Sequence, residues 1–215
     1  MFRRLPLPLL LAFLIATAGC VGVLTGSEPL TLESSPVSVS SAAQSDTGYE
    51  ESRVTTQELE REVSAAGQTR EVIATNHIAE YARTIDAGPM GSGEFARFVV
   101  VSTPAVEVLG KTFNPVGEMS NRELAELAQD QYQGLSNIAE EGERSVTLLG
   151  SQTTVTRFSA DAMVQGTGQT VELTLHVTRL RHGDDFIVII AAHPTLLTGE
   201  TGKIDRLLEG VQHDG

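Results

Sequence analysis

The chain has 215 residues, with 15 Lys and Arg against 28 Asp and Glu, a formal charge of −13, one cysteine and no tryptophan. This acidity excludes a nucleic-acid binder, whose phosphate contacts need a basic footprint, and the lone cysteine excludes an internal disulfide framework. Apolar residues make up 40% of the chain, enough for the core of one domain.

Met1 to Cys20 reads as an export signal. Arg3 and Arg4 form a basic start, and Leu5 to Ala16 is an apolar run of about a dozen residues. That run is too short for a bilayer core, which takes about 20 apolar residues. Thr17-Ala18-Gly19 then places small side chains before Cys20, the arrangement a lipoprotein signal peptidase cuts. The expectation is a diacylglycerol on the Cys20 thiol and a mature chain starting there, held on the extracellular face of the cell membrane. Arg3-Arg4 leaves both general secretion and twin-arginine export open. Removing residues 1–19 leaves 196 of the 215 residues and takes away two arginines, so the formal charge moves from −13 to −15. Lys111 and Lys203 are the only lysines. An acidic surface so poor in lysine suits high salt, which screens its self-repulsion.

Residues 20–47 are small and polar and read as a flexible tether whose second half docks as a short strand or helical turn. Residues 48–215 read as a single domain. Glu50 to Ala66 admits two readings. Thr55-x-x-Glu58 is a capping box and Gly67 a helix stop, but the alternating Arg70 to Tyr81 wants a strand partner, which favours a hairpin. Asp86 to Gly93 is turn-rich, and Phe95 to Ser102 is a strand apolar enough to be buried on both faces. Ser120 to Tyr132 reads as a helix with Ser120 and Glu123 as its capping box and Leu124, Leu127 and Ala128 on one face. Four strands follow at hairpin spacing: Arg144 to Leu149, Thr153 to Val164, Thr170 to Leu180 and Phe186 to His193. In the third, Leu173, Leu175 and Val177 face in, and Thr174, His176 and Thr178 face solvent. A last helix runs from Glu200 to Val211. The fold class expected is α+β: one antiparallel β-sheet, an N-terminal hairpin plus a C-terminal four-strand meander, with two main helices packed on it. In element order this resembles the PsbP/MOG1-type sandwich.

The residues TAGC at 17–20, Gly48-Tyr49-Glu50, Thr75-Asn76 with Glu80-Tyr81, Thr103-Pro104 with Leu109-Gly110 and Asn114-Pro115, Leu149-Gly150, and Asp185-Phe186 with His193-Pro194 occur in this order. The pattern resembles a family of haloarchaeal lipoproteins carrying a domain of unknown function. The resemblance covers nearly the whole chain. It implies the lipid anchor and the high-salt surface, and it supplies no activity.

Chemistry-bearing motifs are few. His182-Gly183-Asp184-Asp185 is the one compact metal candidate, and it reads better as a polar hairpin turn. Gly199-Glu-Thr-Gly202-Lys203 departs from a phosphate loop at Leu197 and Ile204 and reads as a helix start. Gly91-Ser92-Gly93 lacks the spacing of a nucleophile elbow. Tyr49, Tyr81 and Tyr132 read as half-buried core. Asn76 sits on an apolar strand face and needs partners for its amide. No catalytic residue, cofactor or metal site is assigned, and Cys20 is the one modification site. The function expected is a non-enzymatic binding module of the cell envelope, with a small ligand or an envelope protein as partner. The alternative is a surface hydrolase assembled from residues distant in sequence.

Overall fold

Two apolar runs set the centre of the molecule. Phe95 to Ser102 and Phe186 to Ala192 carry apolar side chains on both faces, so each needs cover above and below. A computed structural model describes residues 29–65, 68–86, 92–105, 107–108, 111–112, 114–131, 134–163 and 168–215. In it the two runs lie side by side as β5 (Ser92–Pro104) and β11 (Asp185–Pro194), antiparallel, with Val100 opposite Ile189. Beyond β11 come β10 (Thr170–His182), β9 (Ser151–Met163) and β8 (Leu135–Leu148), each antiparallel to its neighbour. Beyond β5 lie β4 (Gln68–Asp86) and β3 (Glu50–Ala65), a long hairpin. An eighth strand, β1 (Leu30–Glu33), runs parallel to β4 over residues 72–75, just before β4 takes up its pairing with β5.

Each face of the sheet has its own cover. On one side lie α1 (Ser41–Thr47), α3 (Glu200–Glu209), and the pair formed by β2 (Val37–Val39) and β12 (Val211–His213). They bury Ile204, Leu207, Leu208, Val39 and Ala43 against Tyr81, Phe98, Val100, Ile187 and Ile189. Ser40 caps α1 through the Ala43 N–H and donates its own N–H to the Gly210 carbonyl at 2.8 Å, which joins the two helices. On the other side α2 (Asn121–Gln131) packs Leu124 and Ala125 against Phe158, Leu175, Val177 and Val188. The capping box forms: the Ser120 N–H donates to the Glu123 carboxylate at 2.7 Å, and the Glu123 N–H donates to the Ser120 hydroxyl at 3.2 Å. That first bond, with the hydroxyl's own, holds the Glu123 pKa below its ordinary value. A short hairpin, β6 (Glu107–Val108) with β7 (Lys111–Thr112), leads from β5 towards α2.

The fold class expected is corrected. The protein is mostly β, with a mixed sheet in place of one antiparallel hairpin-plus-meander sheet, and three small helices in place of two main ones among the described residues. The difference has two sources. Phe95–Ser102 sits inside the sheet and joins hairpin to meander, because only a central position covers both its faces. Residues 30–47 of the expected tether carry β1, β2 and α1, with Leu30 half-buried and Val37, Val39 and Ala43 in the core. With these elements the order also departs from the PsbP/MOG1-type one. Residues 50–65 are strand, so the capping box at Thr55 goes unused. The last helix stops at Glu209, and Val211 belongs to β12. Cys20 and its signal lie outside the described residues, as do Tyr132, the Ala66-Gly67 turn and Gly91.

Candidate functional site

The cover of α3 and β12 rests on polar side chains as well as apolar ones. The chain has five histidines, and all of them are tied into hydrogen-bonded groups. His176 corrects the reading of its strand. It points into the interior at 2% exposure, with Thr174 and Thr178 buried beside it, because α3 and β12 close the face expected to be wet.

The first group runs in a line. Arg144 on β8 donates from Nη1 to His176 Nδ1 at 3.0 Å. His176 Nε2 meets His193 Nε2 at 3.2 Å, and His193 Nδ1 meets the Pro194 carbonyl at 3.0 Å. A guanidinium can only donate and a carbonyl can only accept, so the tautomers are fixed. His176 carries its proton on Nε2, and His193 carries its proton on Nδ1. The rings lie nearly parallel, 5.4 Å apart. Arg144 also donates from Nε and Nη2 to Asp205 Oδ1, at 2.9 and 2.6 Å, and so joins the line to α3. Burial, and after it the charge of Arg144, lowers the His176 pKa to about 3.

The second group joins residues far apart in sequence. His213 Nε2 lies 3.1 Å from Asp185 Oδ2 and 3.2 Å from Ser102 Oγ. Asp185 also accepts the Ser35 N–H at 2.8 Å. The carboxylate asks for a proton on His213 Nε2, which leaves Nδ1 to accept from His182 Nδ1 at 2.9 Å. His77 stands nearby, its Nδ1 3.3 Å from Ser34 Oγ, and that hydroxyl donates to the Ser102 carbonyl at 2.9 Å. The compact motif at 182–185 is therefore a hairpin turn, as its spacing suggests, and both its ends feed an interior bond network.

Ser102, His213 and Asp185 are the residue types of a hydrolytic triad, but their geometry is different. In a triad the base uses one ring nitrogen for the serine and the other for the carboxylate. Here one nitrogen serves both, and Ser102 is fully buried. The arrangement ties β12 to β5 and β11.

A third group anchors the start of α3. Glu200, 1% exposed, accepts from the Tyr49 hydroxyl at 3.1 Å and from Arg83, and Lys203 lies 3.6 Å away. Burial, and then the Glu200 carboxylate, hold the Tyr49 phenol well above its ordinary pKa. Gly199 precedes α3 at φ 81°, so the glycine-rich stretch there opens a helix. Tyr81 is also buried, with its oxygen accepting the Val39 N–H at 2.8 Å. Asn76 is buried where the partner of β4 changes from β1 to β5, and its Oδ1 finds no partner among the described residues.

The surface offers less. A cleft of about 260 Å³ is lined by Glu50, Glu51, Ser52, Thr84 and Glu94, with Gly48 and Ala82 between them and no histidine. Among the described residues no cluster of three or more His, Cys, Asp or Glu is placed to hold a metal ion. Among them, too, no helix is long and apolar enough to cross a membrane. Sequence reasoning missed the histidine groups. The available signal was five histidines on three strands and a C-terminal tail, but their meeting depends on the register of β10 with β11 and on the path of β12.

Residues 36–212 match a family model described as a domain of unknown function, DUF6517. A search of the curated proteins finds no match.

Proposed function

The chain belongs to the DUF6517 family, and from that footing we propose that it is an envelope module, lipid-anchored through Cys20 outside the cell membrane, that binds a partner rather than catalysing a reaction. The observation that carries this reading is the use of the histidines. The residues best suited to acid–base chemistry near neutral pH are committed to interior bonds that fasten the cover. The charge pattern adds support. Carboxylates dominate the surface, and the two lysines and few arginines leave the domain strongly anionic. That balance fits a protein of a haloarchaeal envelope bathed in molar salt.

The anchor reading rests on Cys20 and its small-residue flank. Among the described residues the first strand begins at Leu30, ten positions after Cys20. Two acyl chains contribute about 0.8 kcal/mol per buried methylene, enough for stable attachment where one chain is marginal. Cys20→Ser should release the protein from membranes, or leave it as uncleaved precursor, with the domain still folded. Fractionation in molar salt and a mass measurement on the N-terminal peptide check this. An unmodified wild-type N-terminus overturns the anchor. Pull-down from membranes at the same salt tests for a partner. A fluorophosphonate probe tests the hydrolase alternative, and labelling of Ser102 in the folded protein would establish it over the binding reading.

A further inference from the structure

We infer that the C-terminal cover, α3 with β12, is an acid-released lid over one face of the sheet, held shut by a histidine pair with no ring nitrogen left to take a proton. The line from Arg144 through His176 and His193 to the Pro194 carbonyl begins at an obligate donor and ends at an obligate acceptor. Each ring therefore spends one nitrogen as donor and the other as acceptor. A proton added at His176 Nδ1 faces the Arg144 guanidinium. A proton added at His193 Nε2 faces the His176 N–H across 3.2 Å. Either one breaks the line.

The groups around the pair do not relieve this. Arg144 on β8 and Arg157 on β9 both oppose a positive charge on His176. Asp205 on α3 and Glu141 on β8 are the nearby carboxylates, and each is already paired with one of those arginines, at 2.6 and 3.1 Å. The second pair is built differently. His182 Nδ1 donates to His213, whose other nitrogen meets Asp185. A proton on His182 Nε2 would leave both bonds standing. The acid-intolerant point is thus the one linked through Arg144 and Asp205 to α3.

Released from the interior, a histidine regains a pKa of about 6.5. Opening then takes up a proton, and acid favours it by mass action. Between pH 7 and pH 5 the open population should rise about 25-fold on release of His176. The test is amide hydrogen exchange on the full-length chain at pH 7 and pH 5, corrected for intrinsic rates. Peptides over 200–213 should be less protected than peptides over β11 at both pH values, and should lose about 25-fold between pH 7 and pH 5. His176→Gln with His193→Gln keeps one donor and one acceptor at each position without a titrating ring, and should remove the difference. Protection over 200–213 equal to that over β11, or the same loss between the two pH values in the double variant, overturns the proposal. Should the double variant not fold, the His176 ring resonance in the wild type decides the matter. Its protonation must coincide with loss of protection in α3, and protonation with α3 still protected overturns the lid.

Discussion

The centre of the sheet and its β3 edge are built from the same strand geometry and to opposite ends. Along β10 five consecutive residues, Thr174 to Thr178, are buried, because both faces are covered. Along β3 the side chains from Glu50 to Glu62 are exposed, save a half-buried Thr55, and among the described residues the strand pairs only with β4. Alternation sorts the charges of β3: Glu58, Glu60 and Glu62 share one face, and Arg53 and Arg61 share the other. A long edge strand is a template for unwanted pairing, and charges are a common defence. The centre is specified by what packs on it, and the edge by what it repels.

The contrast is sharpest in the core. Phe98 is fully buried, edge-on to Tyr81 at 6.4 Å. Phe98→Ala should lose about 3–5 kcal/mol in urea unfolding, whereas Val54→Ala, at 57% exposure on β3, should stay within about 0.5 kcal/mol. Comparable losses at the two sites would mean that burial does not separate the centre of the sheet from its edge.

The cover should be nearly as sensitive. A methyl group on Gly210 would overlap that of Ala43, where α1 meets the end of α3. Gly210→Ala should therefore lose up to about 3 kcal/mol by overpacking, and the midpoint of thermal unfolding reads it. An unchanged midpoint would mean that the two helices part easily.

Next comes pH. Above about 6.5 His176 is neutral in the folded and the unfolded chain, so it contributes no pH dependence there. Below that value the unfolded chain binds a proton that the fold refuses until about pH 3. Stability therefore falls as pH falls through this window, by about 2 kcal/mol between pH 7 and pH 5 for this one group. Urea midpoints at the two pH values check it, and His176→Gln should flatten the difference.

The smallest effect on the fold belongs to the edge. Replacing Glu58, Glu60 and Glu62 with Thr should leave stability within about 0.5 kcal/mol. Self-association should rise, because the pairing edge loses its repulsion. Sedimentation velocity across a concentration series measures this, and a variant that stays monomeric assigns the edge no defensive role.

Local signals in the sequence were legible where local chemistry decides. Ser120-x-x-Glu123 opens α2 through its own two hydrogen bonds, and Gly183-Asp184 turns β10 into β11. The long hairpin followed from the alternation between Arg70 and Tyr81. The inward turn of His176 could not be read this way. Period-two alternation marks which residues share a face, but whether that face is wet depends on a cover drawn from residues 37–47 and 200–213. The Ser102, His213 and Asp185 group hides for the same reason, since its members are separated by 111 and 28 positions.

The line from Arg144 to the Pro194 carbonyl also constrains how this family can drift in sequence. A hydrogen-bonded line between a fixed donor and a fixed acceptor has one sense and cannot be reversed piecemeal. An acceptor at position 144 would require every later bond to turn round, and the last is a main-chain oxygen that no mutation removes. Relatives should thus keep a donor at 144 whenever both rings are present, and should lose 144, 176 and 193 together when the line is abandoned. An alignment in which these three positions vary independently would show that the line is incidental in most of its bearers.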